Sequence, residues 1–90
     1  MEFEWDEAKR QANIARHGID FYDAKAVLED DPVMLLDDRK DYGERRCIAA
    51  GKVMGHMLIV VFTIRNGAFR IISARKANSR ERRKYADQIY

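Results

Sequence analysis

An α+β fold with a small antiparallel sheet follows from three features of this 90-residue sequence. Apolar residues recur at helical spacing up to Pro32 and at strand spacing beyond it. Asn66-Gly67 lies between two apolar runs and is the strongest hairpin signal in the chain. Asn78, with Glu81 three residues on, has the form of a capping box that opens a helix. There is no repeat, no low-complexity tract and no Gly/Ser/Pro-rich linker, so residues 1–90 are expected to form one domain.

Taken in order, Phe3-Glu4-Trp5 alternates apolar and polar and predicts a short strand. Asp6 offers an N-cap, although Lys9 stands where a capping box would have Glu. Glu7 to Arg16 is rich in helix formers and places Ala8, Ala12 and Ala15 on one face. His17-Gly18 closes this helix, Gly18 suiting the left-handed position that follows a helix end. Asp20 is the next N-cap, and Phe21, Ala24, Val27 and Leu28 give a second amphipathic helix. Glu29-Asp30-Asp31-Pro32 ends it, because the residue before proline avoids helical backbone.

Strands follow. Val33 to Leu36 is a short apolar run and Asp37 to Gly43 a polar turn. Glu44 to Val53 is a strand around Cys47, Ile48 and Ala50, and Met54-Gly55 is a tight connection. His56 to Arg65 is the central strand, since Leu58 to Phe62 is apolar on both faces. Phe69 to Arg75 returns beside it. Asn78 to Tyr90 is a closing helix with Tyr85, Ala86 and Ile89 on its apolar stripe. The predicted order is β-α-α-β-β-β-β-α, with two N-terminal helices and one C-terminal helix on the sheet.

Composition narrows the function classes. Cys47 is the only cysteine, which excludes an internal disulfide and a multi-cysteine zinc site and suits a reducing compartment. Met1 to Lys9 has no apolar core of a signal peptide, and Met57 to Phe62 is far shorter than the roughly 20 residues of a membrane span. A cytoplasmic location without membrane contact is the expectation. The net charge of +2 hides a split. Residues 1–45 hold 13 acidic and 7 basic side chains, whereas residues 46–90 hold 2 acidic and 10 basic ones. The basic half points to a polyanion partner, unless the two halves neutralise each other across the folded surface.

Particular residues carry a resemblance over essentially the whole chain. The N-terminal part reads Phe3-Glu4-Trp5-Asp6-Glu7-Ala8-Lys9, then Asn13, then Arg16-His17-Gly18-Ile19, with Phe21, Ala24 and Asp30 beyond. The C-terminal part reads Thr63-Ile64-Arg65, then Arg70-Ile71-Ile72-Ser73-Ala74-Arg75-Lys76-Ala77, then Glu81 and Tyr85. Together these motifs resemble the BrnT family of type II toxins, which usually has Lys where Arg16 stands. The resemblance implies a RelE-like fold and a ribonuclease that halts translation. It also implies neutralisation by a BrnA-like ribbon-helix-helix antitoxin, with operator DNA bound only through that partner.

The ribonuclease that the resemblance implies could work on these residues without a metal. RNA carries its own nucleophile, the 2′-OH, so cleavage needs a base, an acid and a cation for the phosphorane. His17 and His56 share no motif with each other or with carboxylates, and no metal or cofactor is expected. Arginine is the natural cation, because its fork holds phosphate in a bidentate way and stays charged. Arg65 ends the central strand, and Arg70 and Arg75 bracket its partner. Strict alternation places Phe69, Ile71, Ser73 and Arg75 on one face and Arg70, Ile72 and Ala74 on the other. A pair of these arginines on one face would cradle a phosphate; alternatively they pair with acids such as Glu44 or Asp37. The resemblance favours Arg65 and Arg75 as catalytic.

The other candidates each have a functional and a structural reading. His17 is a general base or a helix-end cap. Glu44, beside Arg45 and Arg46, is a base or half of a surface ion pair. Tyr85 stacks on RNA or donates a proton, or else fills the core. Lys52 and Arg70 contact phosphate or are exposed strand residues. Arg80, Arg82, Arg83 and Lys84 bind RNA, the ribosome or the antitoxin, or form a solvated helix face. Trp5 is a core residue or a base-stacking platform. As a whole, the alternative to an enzyme is a module that inhibits by docking on RNA or protein without cutting.

Overall fold

The computed structural model describes residues 2–37 and 43–88. Its elements are β1 (Glu2–Glu4), α1 (Glu7–His17), α2 (Phe21–Glu29), β2 (Val33–Asp37), β3 (Arg46–Val53), β4 (His56–Arg65), β5 (Ala68–Lys76) and α3 (Ser79–Tyr85). The five strands form one sheet in the order β1-β5-β4-β3-β2. The fold is α+β as expected, but the sheet is mixed. β2 to β5 are antiparallel, whereas β1 runs parallel to β5, with Phe3 beside Phe69. The reason is connectivity. Two-residue turns force the β3-β4 and β4-β5 neighbours to be antiparallel, and no such turn joins β1 to β5.

Local chemistry sets the element ends. The Asp6 side chain accepts from the N–H groups of Ala8 and Lys9, and Gly18 adopts φ 71° as it closes α1. Asp20 caps α2 through the N–H of Tyr22. Asn66 and Gly67 turn β4 into β5 with φ of 51° and 80°, and Met54 and Gly55 do the same before β4 with 51° and 81°. Both residues at positive φ is the form that follows strand twist in a two-residue hairpin. The closing helix is shorter than the sequence predicts. Its capping box forms, but α3 ends at Tyr85, and Ala86 to Gln88 make a turn. The expected Ile89 of its stripe, Tyr90, and residues 38–42 of the predicted polar turn lie outside the described residues.

Both faces of the sheet are covered, unequally. α1 and α2 pack on one face, where Phe21, Ala24, Val27 and Leu28 meet Ala49, Leu58, Val60, Phe62, Ile71 and Ala74. At Gly51 a Cβ would stand 2.9 Å from Val27 Cγ1, so this glycine lets α2 lie close against β3. The opposite face carries a smaller cluster of Ala50, Met57, Ile59, Ala77 and Tyr85. Trp5 joins the first face, with its ring edge-on to Phe21 and Tyr22. No helix among the described residues is long and apolar enough to cross a membrane.

Polar side chains tie α1 to the sheet. Asn13, 7% exposed, donates from Nδ2 to the carbonyls of Ile19 (2.9 Å) and Ala74 (2.8 Å), and its Oδ1 accepts from Ala74 N (3.2 Å). The β1 pairing covers only residues 68–70 of β5, so at Ala74 the Asn13 amide takes the place of a neighbouring strand. Arg10 holds both oxygens of Asp20 at 2.8 Å and also reaches Glu7.

Hydrogen bonds from Arg10 hold the Asp20 carboxyl below its ordinary value. Such a group adds stability above its unfolded-state value and loses that contribution as pH falls through its folded-state value. Unfolding midpoints in urea should therefore be flat near neutrality and drop below about pH 4. Asp20→Asn should flatten the acid-side drop; an unchanged pH profile would show that this pair is not responsible.

Candidate functional site

The side of the sheet opposite α1 and α2 is only partly filled by α3. The remainder is a groove of about 660 Å³ between the C-terminal end of α1, β2, the middle strands and α3. Apolar residues form its floor and one wall: Ile48, Ile59 and Val61 from the sheet, with Leu35 and Leu36 from the edge strand. Basic side chains converge on it from three elements. Arg16 and His17 come from the last turn of α1, Arg75 from β5, and Arg80 and Lys84 from α3. Glu81, Asp37, Ser73 and Tyr85 complete the lining.

Arg75 is the most firmly positioned of these cations. Its Nη1 and Nη2 donate to Glu81 Oε1 and Oε2 at 2.7 and 2.8 Å. The same Glu81 Oε1 accepts from Asn78 N at 2.9 Å, while Glu81 N donates to Asn78 Oδ1. One carboxylate thus completes the α3 capping box and orients the Arg75 fork. Bidentate pairing of this kind fixes the guanidinium plane as well as its position. The cap also explains how a helix opening with Arg80, Arg82 and Arg83 is tolerated, since Glu81 places negative charge in the first turn.

A register shift decides which arginines share the groove. Val61 stands opposite Ser73 but Phe62 opposite Ile71, so Ile72 is an extra residue in β5. A bulge of this type re-aims the side chains beyond it. Strict alternation across Ile72 therefore fails. Ser73 and Arg75 pair with Val61 and Ile59, away from the Phe69 and Ile71 side, and Arg70 pairs with Thr63. The expectation that Arg70 and Arg75 face opposite ways is corrected by this single inserted residue.

The bulge does not unite Arg65 with Arg75. Arg65 pairs with Ala68 and Arg75 with Ile59, six residues apart along β4, or roughly 20 Å. One phosphate cannot bridge them, so the two arginines do not form a shared cradle. Arg65 instead donates to Glu44 from Nη2 at 2.9 Å and from Nε at 3.2 Å. Glu44 also lines a small separate hollow with Cys47 and Thr63.

Of the candidate residues, the groove gathers His17, Arg75, Arg80, Lys84 and Tyr85. Tyr85 is 6% exposed and belongs to the smaller core cluster, with Lys84 Nζ over its ring at 5.3 Å. Arg70 lies near Glu4 at 3.8 Å, beyond the groove. Lys52, Arg82 and Arg83 are exposed outside it. The sequence motifs did not single out Asp37 or Ser73 as groove residues, and Arg16 was noted only as the charged neighbour of His17. Asp37, read as a turn residue, is the last residue of β2 and is buried. No group of three or more His, Cys, Asp or Glu side chains able to hold a metal occurs among the described residues.

Compared with known families, residues 5–81 match the family described as ribonuclease toxin, BrnT, of type II toxin–antitoxin system. The matched span runs from Trp5 to Glu81 and so includes His17, Arg75 and the carboxylate that orients it. None of the curated proteins compared matches the chain.

Proposed function

Because the chain belongs to the BrnT family of type II ribonuclease toxins, we propose that the groove around Arg75 is where it cuts RNA. Family membership makes it a toxin with ribonuclease activity, an RNA substrate and an antitoxin partner. The observation that carries the site is the convergence of His17, the oriented Arg75 and three further cations on one concave face.

The reaction needs no metal. The 2′-oxygen attacks the adjacent phosphorus as His17 takes its proton, giving a phosphorane whose extra charge lies against the Arg75 guanidinium. The bond to the 5′-oxygen then breaks, and a proton delivered through water completes the 5′-hydroxyl. The products are a 2′,3′-cyclic phosphate and a 5′-OH end. Arg16, Arg80 and Lys84 hold flanking phosphates, and the apolar wall of Leu35 and Leu36 offers a surface for a base. Arg65 and Glu44 lie too far along the sheet to join this step, so they act at most on more distant parts of the RNA. The fold is read as RelE-like, the location as cytoplasmic, and the partner as a BrnA-like ribbon-helix-helix antitoxin.

The purified chain should cleave RNA in the presence of EDTA and leave 2′,3′-cyclic phosphate ends. His17→Gln should lower the rate by about 10²-fold or more. A requirement for divalent metal, or 3′-hydroxyl ends, would overturn the mechanism. Salt-sensitive binding without scission would favour the docking module.

A further inference from the structure

The groove does not end at the last turn of α1. A smaller hollow of about 210 Å³ adjoins it along the seam between α1 and β5. Arg16, His17 and Ser73 line both cavities and form the sill between them. Beyond the sill the walls are Lys9 and Ala12 of α1 and Ile72 of β5.

Two local features build the seam. Residues 9, 12, 13 and 16 recur at three- and four-residue spacing, so they share one face of α1. That face is turned to β5, where the Asn13 side chain bonds to Ala74. β1 pairs only with residues 68–70 of β5, so α1 is the neighbour of Ile72 and Ser73. Ile72 is the inserted residue of the bulge, and it lines the seam.

Basic groups stand at both ends of this apolar middle. Arg16 and His17 lie at the groove end. Lys9 lies seven residues before Arg16, roughly 10 Å away along the helix axis. Its neighbour Arg10 is held by Glu7 and Asp20, whereas Lys9 is exposed and forms no ion pair among the described residues. Lys9 closes the motif that begins at Phe3, yet only its backbone N–H serves the cap of α1. Its ammonium group is therefore left for a ligand. No carboxylate lines the hollow, whereas Asp37 and Glu81 line the groove.

The order of groups across the sill gives a bound strand its direction. In the cleavage step His17 takes the proton of the 2′-OH and Arg75 faces the phosphorane. That 2′-OH belongs to the nucleotide on the 5′ side of the scissile phosphate. Arg75 lines only the groove and His17 lines both cavities, so the seam opens on the 2′-OH side of the reacting atoms.

We propose that the seam between α1 and β5 is the subsite for RNA upstream of the cut, with Lys9 on a backbone phosphate. It rests on the groove being the cleavage site. A lysine on a phosphate positions the strand without reading its sequence.

The test uses the full chain and oligonucleotides of roughly eight nucleotides. Each has one free 2′-OH and 2′-O-methyl groups elsewhere, so only one link can be cut. Each phosphate is replaced in turn by an uncharged methylphosphonate, and kcat/KM is measured. In the wild type, one replacement upstream of the cut should lower kcat/KM about two- to fivefold, the range for one exposed ionic contact. Lys9→Ala should lose that sensitivity, because the contact is already gone. Its salt slope should be shallower by about 0.7, the value for one lost single-strand contact. Lys9→Arg should restore both. Replacements downstream should cost the wild type and Lys9→Ala alike. Far-UV circular dichroism checks that the variants fold. A Lys9→Ala protein as sensitive as the wild type at every upstream phosphate would overturn the subsite while leaving the groove intact. Sensitivity lost only downstream would equally overturn it. A wild type that cuts no RNA at all would overturn the groove itself.

Discussion

Arg75→Ala is expected to lower the rate of RNA cleavage by about 10²–10³-fold, the loss seen when one preorganised charge donor to a transition state is removed. The fold should survive, because a partly exposed ion pair contributes at most about 1 kcal/mol. Far-UV circular dichroism and the fluorescence of Trp5, the only tryptophan, report that control. Arg75→Lys should recover only part of the rate, since an ammonium keeps the charge but not the planar fork. Glu81→Gln separates orientation from charge. Glutamine still serves the capping box of α3, yet it no longer fixes both nitrogens of Arg75. Its cleavage rate should fall about tenfold or more with little change in melting temperature. A folded Arg75→Ala protein cutting at the wild-type rate would remove Arg75 from the chemistry.

Asn13→Ala should be the most damaging single change to stability. It strands the N–H and C=O of Ala74 and the carbonyl of Ile19, all met by one buried amide. Each stranded buried group costs about 1–3 kcal/mol. In a chain of this size each kcal/mol lowers the melting temperature by roughly 4–8 °C. Asn13→Asp should not rescue it, because a carboxylate keeps the acceptor but loses the donors and carries a buried charge. A melting temperature unchanged in both variants would show that water replaces the amide at no cost.

Much of the fold was legible because its signals are local. Capping residues, glycines at positive φ and the two short turns each act within a few positions, and Asp6, Gly18, Asp20, Asn66 and Asn78 all do what their chemistry predicts. The pairing of β1 was not legible. Direction between strands so distant in sequence is set by packing of Phe3 on Phe69, not by a turn. The site was legible in part for the same reason. His17 and Arg75 were named from their motifs, but their meeting depends on a register shift at Ile72 that no pattern of alternation announces. Distance along the strand, not the shift, separates Arg65 from Arg75. Asn13 was visible in the motif without its purpose, since its partner Ala74 is 61 residues away.

The parallel pairing of β1 with β5 also bears on when the toxin comes into being. Synthesis proceeds from the N-terminus, so residues 2–4 leave the ribosome long before residues 68–70, the only strand positions they pair with. Asn13 likewise waits for Ala74. The groove draws on α1, β5 and α3, so a nascent chain that stops before residue 79 lacks part of it. Until Glu81 has been made, Arg75 lacks the carboxylate that grips both of its terminal nitrogens.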